Sequence, residues 1–173
     1  IELAKISGLE HTIYSLNIIG WGTPAKNYKR AEKSRVWKRK RYKKASLIEI
    51  FRYPSWKIEM QVDGKEYSGY CSLFLASSTQ YTGNGMRMAP KAILDDGRFD
   101  IVILRKASIL KLIMLFTKIF KGNHIYDPIV EYLNVKSFSI STDVPQDLII
   151  DGQVKGTTPI KAEVLKGYLE ILM

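Results

Sequence analysis

Alternation of apolar and polar residues dominates this chain and predicts β-strands over most of its length. The alternation is clearest from Trp56 to Val62, where an Asp63-Gly64 turn follows and the stretch from Tyr67 to Ser77 returns as the partner strand. Phe99–Leu104 is apolar apart from Asp100, as in a strand buried on both faces. Similar patterns predict further strands over residues 2–6, 12–19, 133–142, 148–150, 162–165 and 168–172.

Two stretches show helical periodicity instead. Thr23-Pro24 is a typical helix start, and it opens a polar helix that a second helix follows, together covering about residues 24–53. From Ala107 to Lys121 the lysines form a narrow polar stripe and apolar residues fill the remaining surface of a helix. This helix is too short and too rich in lysine to span a bilayer. Because its apolar face is broad, we expect it to pack in the core, and a wedge that inserts into a membrane surface is the alternative.

These elements predict a mainly β fold: a two-layer antiparallel β-sandwich with helices inserted at about 24–53 and 107–121. A chain of 173 residues is long enough to bury one core, so we expect a single domain over residues 1–173. Cys71 is the only cysteine, which excludes an intrachain disulfide and fits a reducing compartment. No secretory signal is visible, and the absence of an initiator methionine suggests a piece of a longer protein.

The net charge of +10 is concentrated in one segment. Between Lys26 and Lys44 there are eleven basic residues against Glu32 alone, and the rest of the chain holds 16 basic and 16 acidic residues. Such a cluster is typical of a binding site for anions. One use of it is a peripheral module that binds anionic membranes without catalysis. A nucleic-acid-binding module is the weaker alternative, because stacking aromatics are few and no known motif accompanies them, so we expect no nucleic-acid partner.

The run Gly-Met-x-x-Ala-Pro-x-Ala-x-Leu-Asp-Asp-Gly-x-x-Asp, from Gly85 to Asp100, resembles the C-terminal domain of the diacylglycerol kinase and sphingosine kinase superfamily of lipid kinases. In that family a C-terminal β-sandwich faces an N-terminal α/β domain with a Gly-Gly-Asp-Gly nucleotide motif, which is absent here. The resemblance implies the lipid-binding half of an ATP-dependent lipid kinase. It also implies that ATP and Mg²⁺ need the missing N-terminal domain, so this fragment alone should be inactive.

A second motif resembles the sphingosine kinase branch: Trp21-Gly22, then Glu32-Lys33-x-Arg35, then Arg41. The resemblance implies that Arg35 and Arg41 contact the nucleotide phosphates across the interdomain cleft. Guanidinium groups suit this role because they bind phosphate oxygens bidentately. Glu32 would orient an arginine. A solvent-exposed basic helix is the alternative interpretation.

Tyr28 occupies the position at which sphingosine kinases carry an aspartate for the ammonium group of the lipid. A buried cation without a carboxylate is unfavourable, so a diacylglycerol-like or ceramide-like lipid is favoured over a sphingoid base. The resemblance further implies a lipid substrate, contact with an anionic membrane surface and with the chain's own N-terminal catalytic domain. It implies a cytoplasmic protein that associates peripherally with membranes.

Asp-Gly pairs occur at Asp63, Asp96 and Asp151, and each predicts a turn. The resemblance singles out the last pair, because the family has Asp-Gly-Glu there to serve the metal-nucleotide and the proton of the lipid hydroxyl. Here Gln153 replaces the glutamate, and an amide cannot accept that proton. Asp151 and Gln153 are therefore the candidate catalytic pair.

For the middle pair, the bacterial branch of the family implies a structural cation. The carboxylate of Asp96 and the backbone carbonyls of Ile93 and Arg98 would hold it. A plain turn aspartate at Asp96 is an equally good interpretation of the sequence.

Overall fold

The computed structural model describes residues 2–22, 55–83 and 85–169. Within these ranges twelve strands form two antiparallel sheets of six strands each, which confirms the predicted β-sandwich. The helices predicted at about 24–53 lie outside the described residues. The strands are β1 Leu3–Ser7, β2 Ile13–Ser15, β3 Ile18–Gly22, β4 Trp56–Val62, β5 Lys65–Cys71, β6 Leu73–Ser77, β7 Phe99–Leu104, β8 Val130–Val135, β9 Ser137–Thr142, β10 Asp147–Ile150, β11 Gln153–Thr157 and β12 Ile160–Leu165.

The first sheet has the strand order β2-β1-β12-β9-β4-β5, and the second has the order β11-β10-β3-β6-β7-β8. Strands that are adjacent in sequence often lie in different sheets. Six connections cross between the sheets, and three of them join β2 to β3, β5 to β6 and β8 to β9. These passages tie the two layers together covalently.

Each of these three passages was predicted as one uninterrupted strand. The stretch 12–19 is interrupted at residues 16–17, the stretch 67–77 at Ser72 and the stretch 133–142 at Lys136. Apolar residues continue on both sides of each interruption, because the chain leaves one inner face of the sandwich and enters the other. In the last predicted strand, 168–172, residues 168 and 169 are not in a strand and the others lie outside the described residues. The largely exposed β11 was not predicted.

Four aromatic rings join the inner faces of the sheets. Trp21 and Phe74, paired on neighbouring strands, stack with ring centroids 4.5 Å apart. Phe138 projects from the first sheet, and its ring centroid lies 5.4 Å from that of Phe74 and 5.4 Å from that of Phe99. All four side chains are almost fully buried. Such contacts stabilise a core beyond their area of burial.

The chain leaves the second sheet and re-enters the first at one end of the sandwich. Gly22 at the end of β3 pairs with Leu73, and Trp56 at the start of β4 pairs with Cys71. Leu73 and Cys71 are separated only by Ser72. The start and finish of segment 23–54 are therefore close to each other.

The helix predicted from Ala107 to Lys121 is present as α1, Ile109–Ile119. It begins at Ser108, whose Oγ accepts a hydrogen bond from the Lys111 N–H at 3.4 Å. As expected, the helix packs in a hydrophobic core, but on one side only. Only Leu112 and Leu115 of α1 are buried, in a second cluster on the outer face of the second sheet that includes Leu75, Val102, Leu104 and Val130. The opposite face of α1 is exposed.

A buried carboxylate fixes the polar side of α1. Asp127 follows the 3₁₀ turn Asn123–Tyr126, and one of its oxygens lies 2.9 Å from Lys111 Nζ and 3.3 Å from Lys118 Nζ. The hydrogen bond from Lys111, with a further contribution from Lys118, lowers the pKa of Asp127 despite its burial. Two lysines of the polar stripe, Lys111 and Lys118, therefore bind this buried carboxylate. Among the described residues, no helix has the length and apolar character required to cross a bilayer.

The aromatic contacts predict a specific stability loss. Replacing Phe74 by alanine should lower the free energy of unfolding by about 3–5 kcal/mol, because it removes a ring from the junction of both sheets and leaves a cavity. The matched control is Tyr70→Ala, since the Tyr70 side chain is 59% exposed on β5 and its loss should matter far less. Denaturant unfolding followed by tryptophan fluorescence measures both, and equal losses would contradict this account of the core.

Candidate functional site

The Asp151-Gly152 pair forms the two-residue turn that joins β10 to β11. Both residues have a left-handed backbone, with φ of 46° at Asp151 and 79° at Gly152. Ile150 and Gln153 pair directly across the turn. This is the geometry that makes Asp-Gly a favoured hairpin sequence, because aspartate tolerates positive φ better than most residues and glycine adopts it freely.

The Asp151 carboxylate binds the loop that precedes β3. Its Oδ1 atom accepts hydrogen bonds from Ser15 Oγ at 2.8 Å, Asn17 N at 2.9 Å and Ile18 N at 3.0 Å. Its Oδ2 atom accepts one from Leu16 N at 2.9 Å. Four donors on one carboxylate fill most of its acceptor capacity, and the free capacity that remains is on Oδ2.

These donors determine the charge state of Asp151. Partial burial opposes ionisation, but the hydrogen bonds from Ile18, Leu16, Ser15 and Asn17 outweigh it and hold the pKa of Asp151 below its usual value. An effective general base has a pKa near the working pH. Asp151 is therefore suited to hold a fixed negative charge and poorly suited to accept a proton.

Gln153 is exposed at the first position of β11. If Asp151 and Gln153 both lay on one strand, their side chains, two residues apart, would point the same way. Asp151 instead lies in the turn, and the strand alternation does not relate the two side chains. The structure therefore keeps both residues at one sheet corner without fixing a common direction.

Asp63 has nearly the same local geometry as Asp151. The Asp63-Gly64 turn joins β4 to β5, and Asp63 has φ of 47°. Its Oδ1 accepts hydrogen bonds from Lys136 N at 2.9 Å and Ser137 N at 3.0 Å. Both turns thus use a left-handed aspartate to bind the backbone of a passage between the two sheets.

The third pair, Asp96-Gly97, lies in the loop before β7 and forms a different turn. Asp96 Oδ1 accepts a hydrogen bond from Arg98 N at 3.0 Å, and Arg98 Nη1 donates to the Asn134 carbonyl at 3.2 Å. Gly97 N donates to Glu2, which is almost fully buried. Ile93 is exposed.

Two further buried carboxylates lie close to this loop. Glu2 Oε2 has no hydrogen-bond partner among the described residues. The buried Asp100 carboxylate interacts with the side chains of Tyr132 and Asn134. Burial raises the pKa of Glu2 and of Asp100, and the charge of Asp96 adds to both shifts. No local pattern predicts the burial of Glu2, because glutamate is normally solvated.

The candidate residues lie at one end of the second sheet. Strand pairing links Ile150 to Ile19, Ile18 to Ser77 and Ser77 to Asp100. Asp151 follows β10 and Asp96 precedes β7, with β3 and β6 between those strands, so they are separated by roughly 14 Å across the sheet. The other predicted site residues, Tyr28, Glu32, Arg35 and Arg41, lie outside the described residues.

The acidic residues do not form a closed metal centre by themselves. Within residues 2–22, 55–83 and 85–169, no group of three or more His, Cys, Asp or Glu side chains is arranged to hold a metal ion. The predicted cation site needs only one side chain, Asp96, with two backbone carbonyls. Carboxylate and carbonyl oxygens are the ligands that Mg²⁺ and Ca²⁺ prefer.

Comparison with known proteins gives consistent matches. Residues 17–173 match the family model described as the YegS C-terminal NAD kinase beta sandwich-like domain. A diacylglycerol kinase of Bacillus subtilis (strain 168) is 30% identical over 117 residues, which is 68% of this chain and 39% of that protein. A diacylglycerol kinase of Staphylococcus carnosus (strain TM300) is 32% identical over 114 residues, 66% of this chain and 37% of that protein. The matched region is thus under two fifths of each curated relative.

Solved structures share the fold. A diacylglycerol kinase structure from Bacillus anthracis str. Sterne superposes with a TM-score of 0.63 and 19% identity, covering 96% of this chain and 51% of that one. A second structure from the same organism superposes with a TM-score of 0.73 and 21% identity, covering 96% of this chain and 54% of that one. The chain therefore belongs to the family of the YegS C-terminal NAD kinase beta sandwich-like domain, and it is a C-terminal β-sandwich domain of the diacylglycerol kinase and sphingosine kinase type.

Proposed function

We propose that this chain is the lipid-side domain of an ATP-dependent lipid kinase whose substrate is a neutral, diacylglycerol-like or ceramide-like lipid. The observation that carries the proposal is the match to relatives named diacylglycerol kinase at 30% and 32% identity. Because the chain spans under two fifths of those relatives, the proposal assigns nucleotide binding to an additional N-terminal domain. Tyr28, in place of a lipid-binding aspartate, supports a neutral lipid over a sphingoid base.

In this proposal Asp151 acts through its charge. Its lowered pKa keeps the carboxylate ionised at neutral pH. Oδ2 accepts a single hydrogen bond, from Leu16 N, and so retains the capacity to bind a further ligand. An ionised carboxylate can hold the Mg²⁺ that accompanies ATP, which neutralises phosphate charge during transfer. Gln153 would contribute a neutral hydrogen bond beside it.

Arg35 and Arg41 are proposed to bind the nucleotide phosphates, with Glu32 orienting one of them. Phosphoryl transfer depends mainly on positioning and on neutralising charge, and guanidinium groups supply both. Asp96, with the carbonyls of Ile93 and Arg98, is proposed to hold a structural cation. The oxygen ligands of this loop support the assignment, because they are the kind that a hard divalent cation prefers.

The proposal predicts that the purified 173-residue chain neither hydrolyses ATP nor phosphorylates diacylglycerol. The groups that cradle the nucleotide would reside in the other domain, and catalysis by positioning requires both. Transfer of labelled phosphate from ATP to detergent-dispersed diacylglycerol measures this. Activity should emerge when the chain is joined to an N-terminal domain of a relative. Activity in the isolated chain would refute the division of labour between domains.

The basic segment provides a second prediction. In the joined protein, Arg35→Ala or Arg41→Ala should lower turnover tenfold or more, because a lost charged hydrogen bond to phosphate is worth roughly 1.5–3 kcal/mol. The controls Lys38→Ala and Lys43→Ala, which remove neighbouring charges, should leave turnover nearly unchanged and weaken binding to anionic vesicles. Equal effects from all four substitutions would indicate a diffuse electrostatic surface.

Asp63 and Asp151, which both have a left-handed backbone, allow the catalytic role of Asp151 to be tested against a matched control. Asp151→Asn and Asp63→Asn both keep the side-chain shape and a residue that tolerates positive φ. Only Asp151→Asn should abolish lipid phosphorylation in the joined protein, whereas Gln153→Glu should preserve or raise it. If Asp151→Asn retains full activity, Asp151 is a structural turn residue and leaves the proposed site.

A stability measurement separates the two roles of Asp151. Because its pKa is lowered by folding, the carboxylate stabilises the fold above the ordinary aspartate pKa of about 3.9, and this contribution is lost as the pH falls through the folded-state pKa. Asp151→Asn should therefore lower the free energy of unfolding at pH 7 and have little effect near pH 2. Losing activity without this pH-dependent stability change would contradict the hydrogen-bonded geometry.

A further inference from the structure

The outer face of α1 is an exposed apolar surface. Leu110 is 70% exposed and Met114 55%, while Ile113, Phe116 and Phe120 are each exposed by more than two fifths. The rings of Phe116 and Phe120 contact each other edge to face, with centroids 5.6 Å apart, on this outer side. Contiguous exposed apolar side chains on one helix face usually mark a binding surface.

This face has a basic border. From Arg105 to Glu131 the chain has five basic residues and two acidic ones. Both acidic residues are already engaged, because Asp127 contacts Lys111 and Lys118, and Glu131 pairs with Arg105. Lys106 and Lys121, at either end of α1, are exposed. The surface therefore combines apolar side chains with uncompensated positive charge.

We propose that the outer face of α1 docks on an anionic lipid bilayer, with the helix axis parallel to the membrane. A helix in this orientation buries its apolar face about 5–10 Å deep and places flanking lysines against anionic headgroups. Asp127 anchors the opposite side of the helix to the sandwich, so that the docked surface is rigid rather than a detached segment.

A bilayer fits this surface better than a second copy of the chain. A symmetric dimer through α1 would bring the lysines of both copies together, and like charges across an interface are unfavourable. An anionic bilayer compensates the lysines and the apolar residues at once. The inference rests on the proposed function in one respect: a kinase for a water-insoluble lipid must meet its substrate at a membrane.

The test measures binding of the full chain to phosphatidylcholine–phosphatidylglycerol vesicles and to pure phosphatidylcholine vesicles. Leu110→Gln/Met114→Gln should weaken binding to the anionic vesicles at least about tenfold, because two apolar side chains are lost from the buried face. The matched control Tyr70→Gln/Val144→Gln removes two exposed apolar side chains elsewhere and should bind normally. Circular dichroism melts verify that all variants are folded.

The electrostatic part is tested separately. Lys106→Gln and Lys121→Gln should each weaken binding about fivefold, and binding should fall with added salt. Unchanged affinity in the Leu110→Gln/Met114→Gln variant would overturn the proposal and leave the basic segment between Lys26 and Lys44 as the membrane contact.

A fluorescent label reports directly on the helix. Thr117 is exposed on the outer side of α1, and the native Cys71 is buried with its thiol pKa raised by burial to about 12, so an environment-sensitive dye on Thr117→Cys reacts selectively. The dye should shift to the blue with anionic vesicles, and the same dye on Gln61→Cys, on β4, should not. A blue shift without vesicles, in the chain or in the joined protein, would show that protein covers α1 and would overturn the proposal.

Kinase assays distinguish this inference from the proposed function. The Leu110→Gln/Met114→Gln variant of the joined protein should phosphorylate a short-chain, water-soluble diacylglycerol normally and vesicle-borne diacylglycerol poorly. Normal activity on both substrates would refute docking while the kinase assignment survives. Vesicle binding without any phosphorylation would refute the kinase assignment while docking survives.

Discussion

The contact of Phe138 with Phe74 and Phe99 is the constraint on which the rest of the fold depends. It is the place where rings from the two sheets meet, 5.4 Å apart, within a junction extended by the stacked Trp21. Backbone hydrogen bonds hold each sheet together internally, but only side-chain burial and the connecting passages hold one sheet against the other. The passages from β2 to β3, from β5 to β6 and from β8 to β9 keep this junction in register. The Asp63 and Asp151 carboxylates bind the backbone at two of them.

How much of this fold the sequence could predict depends on which residues set the local pattern. Strands such as Trp56–Val62 were found because each has one buried face, and the helix before Gly122 was found because its apolar residues recur at helical spacing. The breaks at Ser72 and Lys136 were missed, since a strand that changes sheets keeps apolar residues on both sides. How much of α1 is buried could not be predicted, for a related reason. Periodicity identifies an apolar helix, but Leu112 and Leu110 look alike in the sequence, and only tertiary contacts decide which one is covered.

In the candidate site, too, local sequence predicts the turns, whereas tertiary contacts determine the environment of the side chains. That Asp63, Asp96 and Asp151 lie in turns follows from local chemistry, and the structure places all three there. The four donors on Asp151 come from residues 15–18, more than 130 positions earlier in the chain, and no local pattern specifies them. The near-complete burial of Glu2 is equally non-local. Resemblance to a family distinguishes the Asp151 turn from the other two, whereas the lowered pKa of Asp151 depends on donors that only the folded chain brings together.

The closeness of Gly22 and Trp56 has a consequence for how such domains diversify. The two points lie within roughly 18 Å of each other, judged from their pairing with Leu73 and Cys71 on either side of Ser72. The sandwich therefore requires of segment 23–54 only that it start and finish there. In general, the entropic cost of closing a loop rises by only about 0.6 kcal/mol for each doubling of loop length. Insertions or exchanges between these two strand ends therefore leave the aromatic core intact, so the length of this connection and the stability of the fold can evolve independently.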